Sequence, residues 1–162
     1  MATSFRFKRL DVAVDERGSS IRLKPKTVQN YLSKGLLTSR LQSVRFINER
    51  KISSGIDTGV SCYLGKRAND AHVFIYDKGL EQQQVVGQWY RVELRFKNNY
   101  CNQLVAVLLS DDTSLGKYVA DWLGARVQFR SPIGVSEIRR RGLVAWYARY
   151  LKELSKQGLD FY

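Results

Sequence analysis

The stretch QWYRVELRFK, residues 88–97, decides the fold, because apolar and charged side chains alternate strictly from residue 90 onward. Successive side chains of a β-strand point to opposite faces of a sheet, so this alternation predicts a half-buried strand. The apolar face consists of Tyr90, Val92, Leu94 and Phe96, and the polar face of Arg91, Glu93, Arg95 and Lys97. One covered face and one open face are typical of antiparallel sheets.

Working outward, further strands are predicted at 6–15, 42–48, 58–64 and 72–77. The segment 6–15 also alternates strictly, with its aspartates on the polar side. Strands in the first part of a chain followed by helices in the second favour an α+β fold. We expect a mainly antiparallel sheet with one open polar face carrying the site and helices packed on the other.

The helical segments follow from apolar spacing and from helix start and stop residues. One begins at Pro25 and ends at Gly35. After residue 98 the pattern becomes helical throughout, and the predicted helices are 98–110, 112–125 and a long amphipathic helix over 135–158. No linker divides the chain, so one domain is expected over residues 1–162, strand-rich over 1–97 and helical over 98–162.

The charge balance points to a polyanionic partner. The 162 residues include 27 Lys and Arg against 15 Asp and Glu, a net charge of +12. Basic residues spread over strands and loops favour nucleic acid over an acidic membrane surface. No apolar run approaches the roughly 18 residues of a membrane span, and no membrane partner is expected. Cys62 and Cys101 lack metal-ligand spacing, which suits a reducing, cytoplasmic location.

Three predicted strands bring reactive side chains to the open face. The first strand contributes Asp11 and Asp15, the stretch quoted above contributes Glu93, and the strand over 72–77 places Tyr76 there. Neighbouring strands lie about 4.8 Å apart, so carboxylates on paired strands come within reach of one hard cation. Oxygen ligands of this kind favour Mg²⁺ or Mn²⁺.

A tyrosine hydroxyl needs activation before it can attack a phosphate. Its ordinary pKa is near 10, so about a thousandth is ionised at pH 7. A divalent ion, or an ammonium such as that of Lys78, would make Tyr76 a usable nucleophile. With arginines nearby to hold phosphates, the combination suggests phosphodiester transesterification through a phosphotyrosine.

Each of these residues also has an ordinary structural interpretation. A strand tyrosine such as Tyr76 usually packs, and Asp11 with Asp15 can simply be solvated. Glu93 between two arginines can be a surface ion pair of small energetic value. The single histidine, His72, excludes a metal site of the paired-histidine type.

Four motifs in chain order resemble the replication initiation factor family, which comprises rolling-circle initiators of plasmids and related relaxases of integrative and conjugative elements. They are an Arg-hydrophobic-Asp strand (RLD, 9–11), a Tyr-x-Gly-x-Arg turn (YLGKR, 63–67), an Ile-Tyr-x-Lys strand end (IYDK, 75–78) and a Trp-x-Arg-Val-Glu strand (WYRVE, 89–93). The resemblance spans about residues 6–97.

The resemblance implies a role for each matching residue. Tyr76 would attack the nick site, become joined to the 5′ phosphate and leave a 3′ hydroxyl that primes synthesis, with Lys78 beside it. Asp11 and Glu93 would hold Mg²⁺ or Mn²⁺, with Asp15 as a third ligand. Phosphate contacts are expected from four basic residues of the motifs and of the open face: Lys66, Arg67, Arg91 and Arg95.

Two features depart from the family pattern. Family members are usually about twice as long, with another α+β segment before the Arg-x-Asp strand and often a helix-turn-helix domain. The chain therefore resembles the C-terminal part of the catalytic domain. In addition, Phe74 stands where relatives frequently have an arginine, which removes one expected phosphate contact.

The favoured function is metal-dependent, site-specific nicking and joining of origin DNA for rolling-circle replication or conjugative transfer. Host helicase and polymerase are then expected partners, and a homodimer is an open alternative to a monomer. A second hypothesis is a DNA-binding module of the same ancestry that does not cleave alone. A third is a basic RNA-binding protein whose strand aromatics stack on bases, although the chain lacks an RNP-like glycine–aromatic pattern.

Overall fold

The computed structural model describes residues 6–55, 57–110 and 115–158, apart from the side chains of residues 57 and 58. The strands within these ranges are β1 (Arg9–Arg17), β2 (Leu37–Ser39), β3 (Val44–Arg50), β4 (Asp57–Leu64), β5 (Ala71–Asp77), β6 (Trp89–Lys97) and β7 (Val127–Phe129). The helices are α1 (Pro25–Ser33), α2 (Lys78–Glu81), α3 (Asn98–Ser110), α4 (Leu115–Arg126) and α5 (Ala145–Leu154).

Five strands form one antiparallel sheet in the order β1-β6-β5-β4-β3. β1 and β6 pair along their whole length, from Arg9 opposite Lys97 to Arg17 opposite Trp89. β5 joins β6 from Ala71 opposite Phe96 onward. The sheet is therefore the mainly antiparallel α+β architecture that the alternation predicts, with helices on one face.

The covered face holds the core because the apolar half of each alternating strand points towards the helices. Val73, Ile75, Leu94 and Phe96 are all fully buried. The helical layer and β7 supply the other side of the same cluster, which includes Leu104, Val119, Leu123, Phe129 and Tyr147. This packing leaves the polar half of each strand on the open face.

The prediction of one long helix over 135–158 is wrong in its first half. The helix is α5, which begins at Ala145 after a single 3-10 turn at Ile138–Arg140. The chain before it runs extended, because Leu143 forms a β-bridge with Arg130. Backbone hydrogen bonds to the strand-like segment after β7 thus replace the helical bonds that the amphipathic pattern predicts.

The two-stranded sheet of β2 and β7 also escapes the sequence pattern. Each strand has only three residues, which is too short to show an alternation. Thr38 and Gln128 pair at its centre. This small sheet joins the end of α1 to the helical layer.

Among the described residues, no helix is both long enough and apolar enough to span a membrane.

Candidate active site on the open sheet face

The open face carries rows of side chains that run across the strands, because directly paired residues share a face. Three neighbouring rows across β1, β6 and β5 are Asp15–Arg91–Tyr76, Ala13–Glu93–Phe74 and Asp11–Arg95–His72. The structure therefore places Asp11, Tyr76 and Glu93 on one face of one sheet. The cross-strand register, which no single segment reveals, sets which of them are neighbours.

The hydroxyl of Tyr76 donates a hydrogen bond to Oε2 of Glu93 at 3.4 Å. Burial raises the pKa of Tyr76 to about 12, and the charges of Glu93 and Glu81 act in the same direction. The charge and the hydrogen bond of Arg91 oppose them. The phenol is therefore protonated at pH 7, and a nucleophilic role requires additional positive charge near its oxygen.

Lys78 contacts the ring of Tyr76. Its Nζ forms an ion pair with Glu81 and lies 5.8 Å from the centroid of the Tyr76 ring. α2 begins at Lys78, so the chain turns immediately after the strand end. The group that lowers the pKa of Tyr76 is instead Arg91 of the neighbouring strand.

Asp15 and Arg91 form a two-pronged ion pair. Nε of Arg91 lies 2.7 Å from Oδ1 of Asp15, and Nη2 lies 2.8 Å from Oδ2. Burial raises the pKa of Asp15, but the hydrogen bonds and charge of Arg91 outweigh it and hold that pKa below its usual value. Both carboxylate oxygens are engaged with Arg91, and the role of Asp15 as a third metal ligand stays a prediction.

Arg95 lies between the other two carboxylates of the predicted metal site. Its Nε is 2.6 Å from Oε1 of Glu93 and 3.9 Å from Oδ2 of Asp11. Asp11 also accepts a hydrogen bond from Nε of Arg9 at 2.8 Å. Two carboxylates on adjacent strands thus converge on one positive group, the guanidinium of Arg95.

The donor set fits a hard divalent ion through two ligands. Mg²⁺ is commonly bound by one or two carboxylates together with substrate phosphates. Asp11 and Glu93 are two such carboxylates, and both are ion-paired with Arg95. No group of three or more acidic, histidine or cysteine side chains suited to a metal ion occurs in the described part of the chain.

The Tyr-x-Gly-x-Arg turn after β4 folds an arginine back onto the sheet. Gly65 has a φ of +87°, in the left-handed region that glycine tolerates. Nη2 of Arg67 then donates to the hydroxyl of Tyr63 at 2.8 Å. Lys66, the other predicted phosphate contact of this turn, is exposed.

A stack of three aromatic rings crosses the open face, and the sequence reading did not predict it. The rings of Tyr63 and Phe74 lie 4.2 Å apart between centroids, and those of Phe74 and Tyr76 lie 4.6 Å apart, both nearly parallel. Tyr63 and Phe74 are direct cross-strand partners. The spacing of Phe74 and Tyr76, two residues apart in β5, is the sequence feature that places two of these rings side by side on one face.

A family model described as replication initiation factor matches residues 5–160. The chain belongs to the replication initiation factor family. The match confirms the resemblance carried by the four motifs, and it also covers the helical part of the chain, where no motif was recognised.

Two known proteins are similar to this family member. NicK of Bacillus subtilis (strain 168), which carries the name of a DNA relaxase, is 29% identical over 110 residues, or 64% of this chain and 31% of NicK. The structure of a rolling circle replication initiator protein from Geobacillus stearothermophilus is similar with a TM-score of 0.82 and 26% identity, covering 91% of this chain and 56% of that chain. The chain thus spans about a third of one and just over half of the other.

Proposed function

We propose that the chain nicks and rejoins origin DNA through a covalent bond between Tyr76 and a 5′ phosphate. The observation that carries this proposal is the position of the Tyr76 hydroxyl, on the open sheet face and 3.4 Å from Glu93. Membership of the family and the likeness to a rolling circle initiator support the same activity. The natural setting is rolling-circle replication or conjugative transfer.

The proposed reaction exchanges one phosphate ester for another. The phenolic oxygen of Tyr76 attacks phosphorus, the bond from phosphorus to the 3′ oxygen breaks, and the phenolic proton passes to an acceptor for which Glu93 is in place. The 3′ oxygen takes up a proton from solvent as it leaves, so the products are a 5′ phosphotyrosine and a free 3′ hydroxyl. The reverse attack of a 3′ hydroxyl rejoins the strand. The ester bond is conserved, so no external energy source is needed.

The site needs extra positive charge for this attack, because the pKa of Tyr76 is raised to about 12. We propose that Asp11 and Glu93 hold Mg²⁺ or Mn²⁺. When bound, such an ion polarises a phosphoryl oxygen and stabilises the charge of the transition state. Arg91 and Arg95 then lie beside the reacting phosphate, and Asp15 holds Arg91 in position.

The test is a denaturing gel of labelled single-stranded origin oligonucleotide, incubated with protein in the presence and absence of Mg²⁺ or Mn²⁺. We expect a protein-linked band that requires the divalent ion. Tyr76→Phe should abolish this band and leave DNA binding nearly unchanged, because the substitution removes one oxygen and no charge. Cleavage that persists in Tyr76→Phe would assign the nucleophile to another residue, with Tyr63 the first to examine.

A second candidate function is DNA binding without cleavage by this chain alone. The chain covers 56% of the similar initiator and 31% of NicK. A DNA-binding module without cleavage activity would bind the same oligonucleotide and give no linked band under any divalent ion. Adding the remaining segment of a full-length relative would then restore cleavage.

A further inference from the structure

The arginines of the open face divide into two groups by what they contact. Arg91 and Arg95, on β6, are bonded to carboxylates. Arg45 on β3 and Arg67 after β4 instead lie over the ring of Tyr63, with guanidinium carbons 5.3 and 4.9 Å from its centroid. Neither Arg45 nor Arg67, which we call the arginine pair, is ion-paired with a carboxylate in the ranges that the structure describes.

The arginine pair stands on a fixed support. Tyr63 is only 5% exposed, and it is the direct cross-strand partner of Arg45. Its hydroxyl accepts a hydrogen bond from Arg67 at 2.8 Å. Cation–π contact and this hydrogen bond hold the guanidinium groups in place without neutralising their charge, which leaves them available to an anion.

The aromatic stack connects the arginine pair to the candidate nucleophile. Tyr63 lies against Phe74, and Phe74 lies against Tyr76, at centroid separations of 4.2 and 4.6 Å. The rings of Tyr63 and Phe74 therefore lie between the arginine pair and the ring of Tyr76. A DNA strand joined to Tyr76 would meet the arginine pair within its adjoining nucleotides if it crossed the sheet in this direction.

Charge selects this direction over the opposite one. On the β1 side of Tyr76 the carboxylates of Asp11, Asp15 and Glu93 are bonded to Arg9, Arg91 and Arg95, so the charges on that side largely cancel. On the β3 side the face carries the arginine pair. A phosphate backbone leaving the site is therefore favoured over β4 and β3.

We infer that the arginine pair binds backbone phosphates of single-stranded DNA, and that the strand runs from Tyr76 over Phe74 and Tyr63 towards β3. The inference rests on the proposed function for its starting point at Tyr76. It adds Arg45 to the phosphate contacts that the sequence predicts and gives Arg67 a larger share than Arg91 and Arg95, which are bonded to carboxylates. Arg45 belongs to none of the recognised motifs.

The experiment measures binding of a fluorescent single-stranded oligonucleotide by anisotropy over a range of salt concentrations. The double variant Arg45→Gln/Arg67→Gln should bind more weakly, and its slope of log affinity against log salt should fall by about 0.7 for each lost phosphate contact. The matched control is Arg149→Gln/Lys152→Gln, which removes the same charge from exposed positions of α5. The control should keep the wild-type slope.

A third variant separates position from charge. Tyr63→Phe keeps both arginines and the ring but removes the oxygen that accepts from Arg67. We expect weaker binding with an unchanged salt slope, since no charge is lost. Circular dichroism and the melting temperature verify that each variant is folded.

Equal slopes for the double variant and its control would overturn the inference, as would a loss confined to duplex DNA of the same sequence. Absence of any binding of single-stranded DNA by the wild-type chain would overturn it as well. The proposed nicking function is tested separately, by the presence or absence of the covalent protein–DNA band. If no band forms but the slope changes as predicted, the proposed nicking activity is wrong, and the binding of DNA phosphates by the arginine pair is still supported.

Discussion

His72 is the only histidine of the chain, and its imidazole lies on the open face with 2% exposure. Both ring nitrogens are buried, and neither has a hydrogen-bond partner among the residues that the structure describes. Burial lowers the pKa of His72 to about 4, and the positive charges of Arg95, Lys97 and Arg67 act in the same direction. The native structure therefore holds a neutral imidazole near the charges of three cationic side chains.

The titration of His72 is directly measurable. Because the chain has one histidine, its imidazole resonance in an NMR spectrum needs no assignment. The folded pKa of about 4 lies below the unfolded value near 6.5, so the unfolded state binds more protons between these values. Stability should therefore fall as the pH drops from about 6.5 towards 4. The measurements are an NMR titration and urea unfolding at several pH values.

His72→Gln provides the control for this prediction. Its unfolding free energy should depend less on pH over the same interval, because the titrating group is gone. An imidazole that titrates near 6.5 in the folded protein would contradict the buried, neutral state.

At the residue scale, the sequence predicts which side chains share a face but not which ones touch. Alternation alone places Asp11, Asp15 and Glu93 on the open side. Their partners depend on register, which sets Asp15 opposite Arg91 and Asp11 opposite Arg95. A shift of two residues would leave every side chain on its face and exchange all of these ion pairs, so single-strand patterns cannot determine them.

At the element scale, the strands of the sheet are predictable because each has at least seven residues and a clear period. β6 begins and ends within one residue of the predicted stretch. α5 is mispredicted because an amphipathic pattern continues into residues 135–144, whose backbone bonds to a neighbouring segment instead. The hydrogen bond from Val144 N to Phe129 O at 2.9 Å is one of these tertiary contacts.

The packing of α4 against α5 supports a prediction on two helical glycines. A Cβ at Gly116 would lie 2.2 Å from the carbonyl oxygen of Gln157 and 2.4 Å from that of Leu154. Backbone atoms cannot move aside easily, so Gly116→Ala should destabilise the protein by about 1–3 kcal/mol, the usual cost of overpacking. Thermal and urea unfolding measure the loss.

Gly124→Ala is the matched control within the same helix. There a Cβ would meet Cδ1 of Leu151 at 2.9 Å, which is the end of a flexible side chain. Relief by rotation, together with the helix preference of alanine, should keep the change within about 1 kcal/mol. Equal destabilisation by the two substitutions would argue against the close α4–α5 contact at Gly116.

At the scale of the whole molecule, the sheet and the helical layer share one hydrophobic core. The buried cluster includes Cys62 from β4 and Cys101 from α3, both free thiols with no exposed surface. Burial raises the pKa of Cys62 to about 12 and also raises that of Cys101. Neither thiolate forms readily in the folded state, so reaction of either cysteine requires the structure to open.

The reactivity of these two thiols shows whether the five-stranded sheet and the helices packed on it unfold as one unit. If the core opens only as a whole, a thiol reagent under native conditions should label Cys62 and Cys101 at the same slow rate, and both rates should follow global stability in urea. The single variants Cys62→Ala and Cys101→Ala identify each reaction by mass spectrometry. Much faster labelling of Cys101 would mean that α3 opens while the sheet persists. The rigid support inferred for the candidate site would then come from the strand pairing alone, since Tyr76, Glu93 and the arginine pair all lie on strands or on the turn that follows β4.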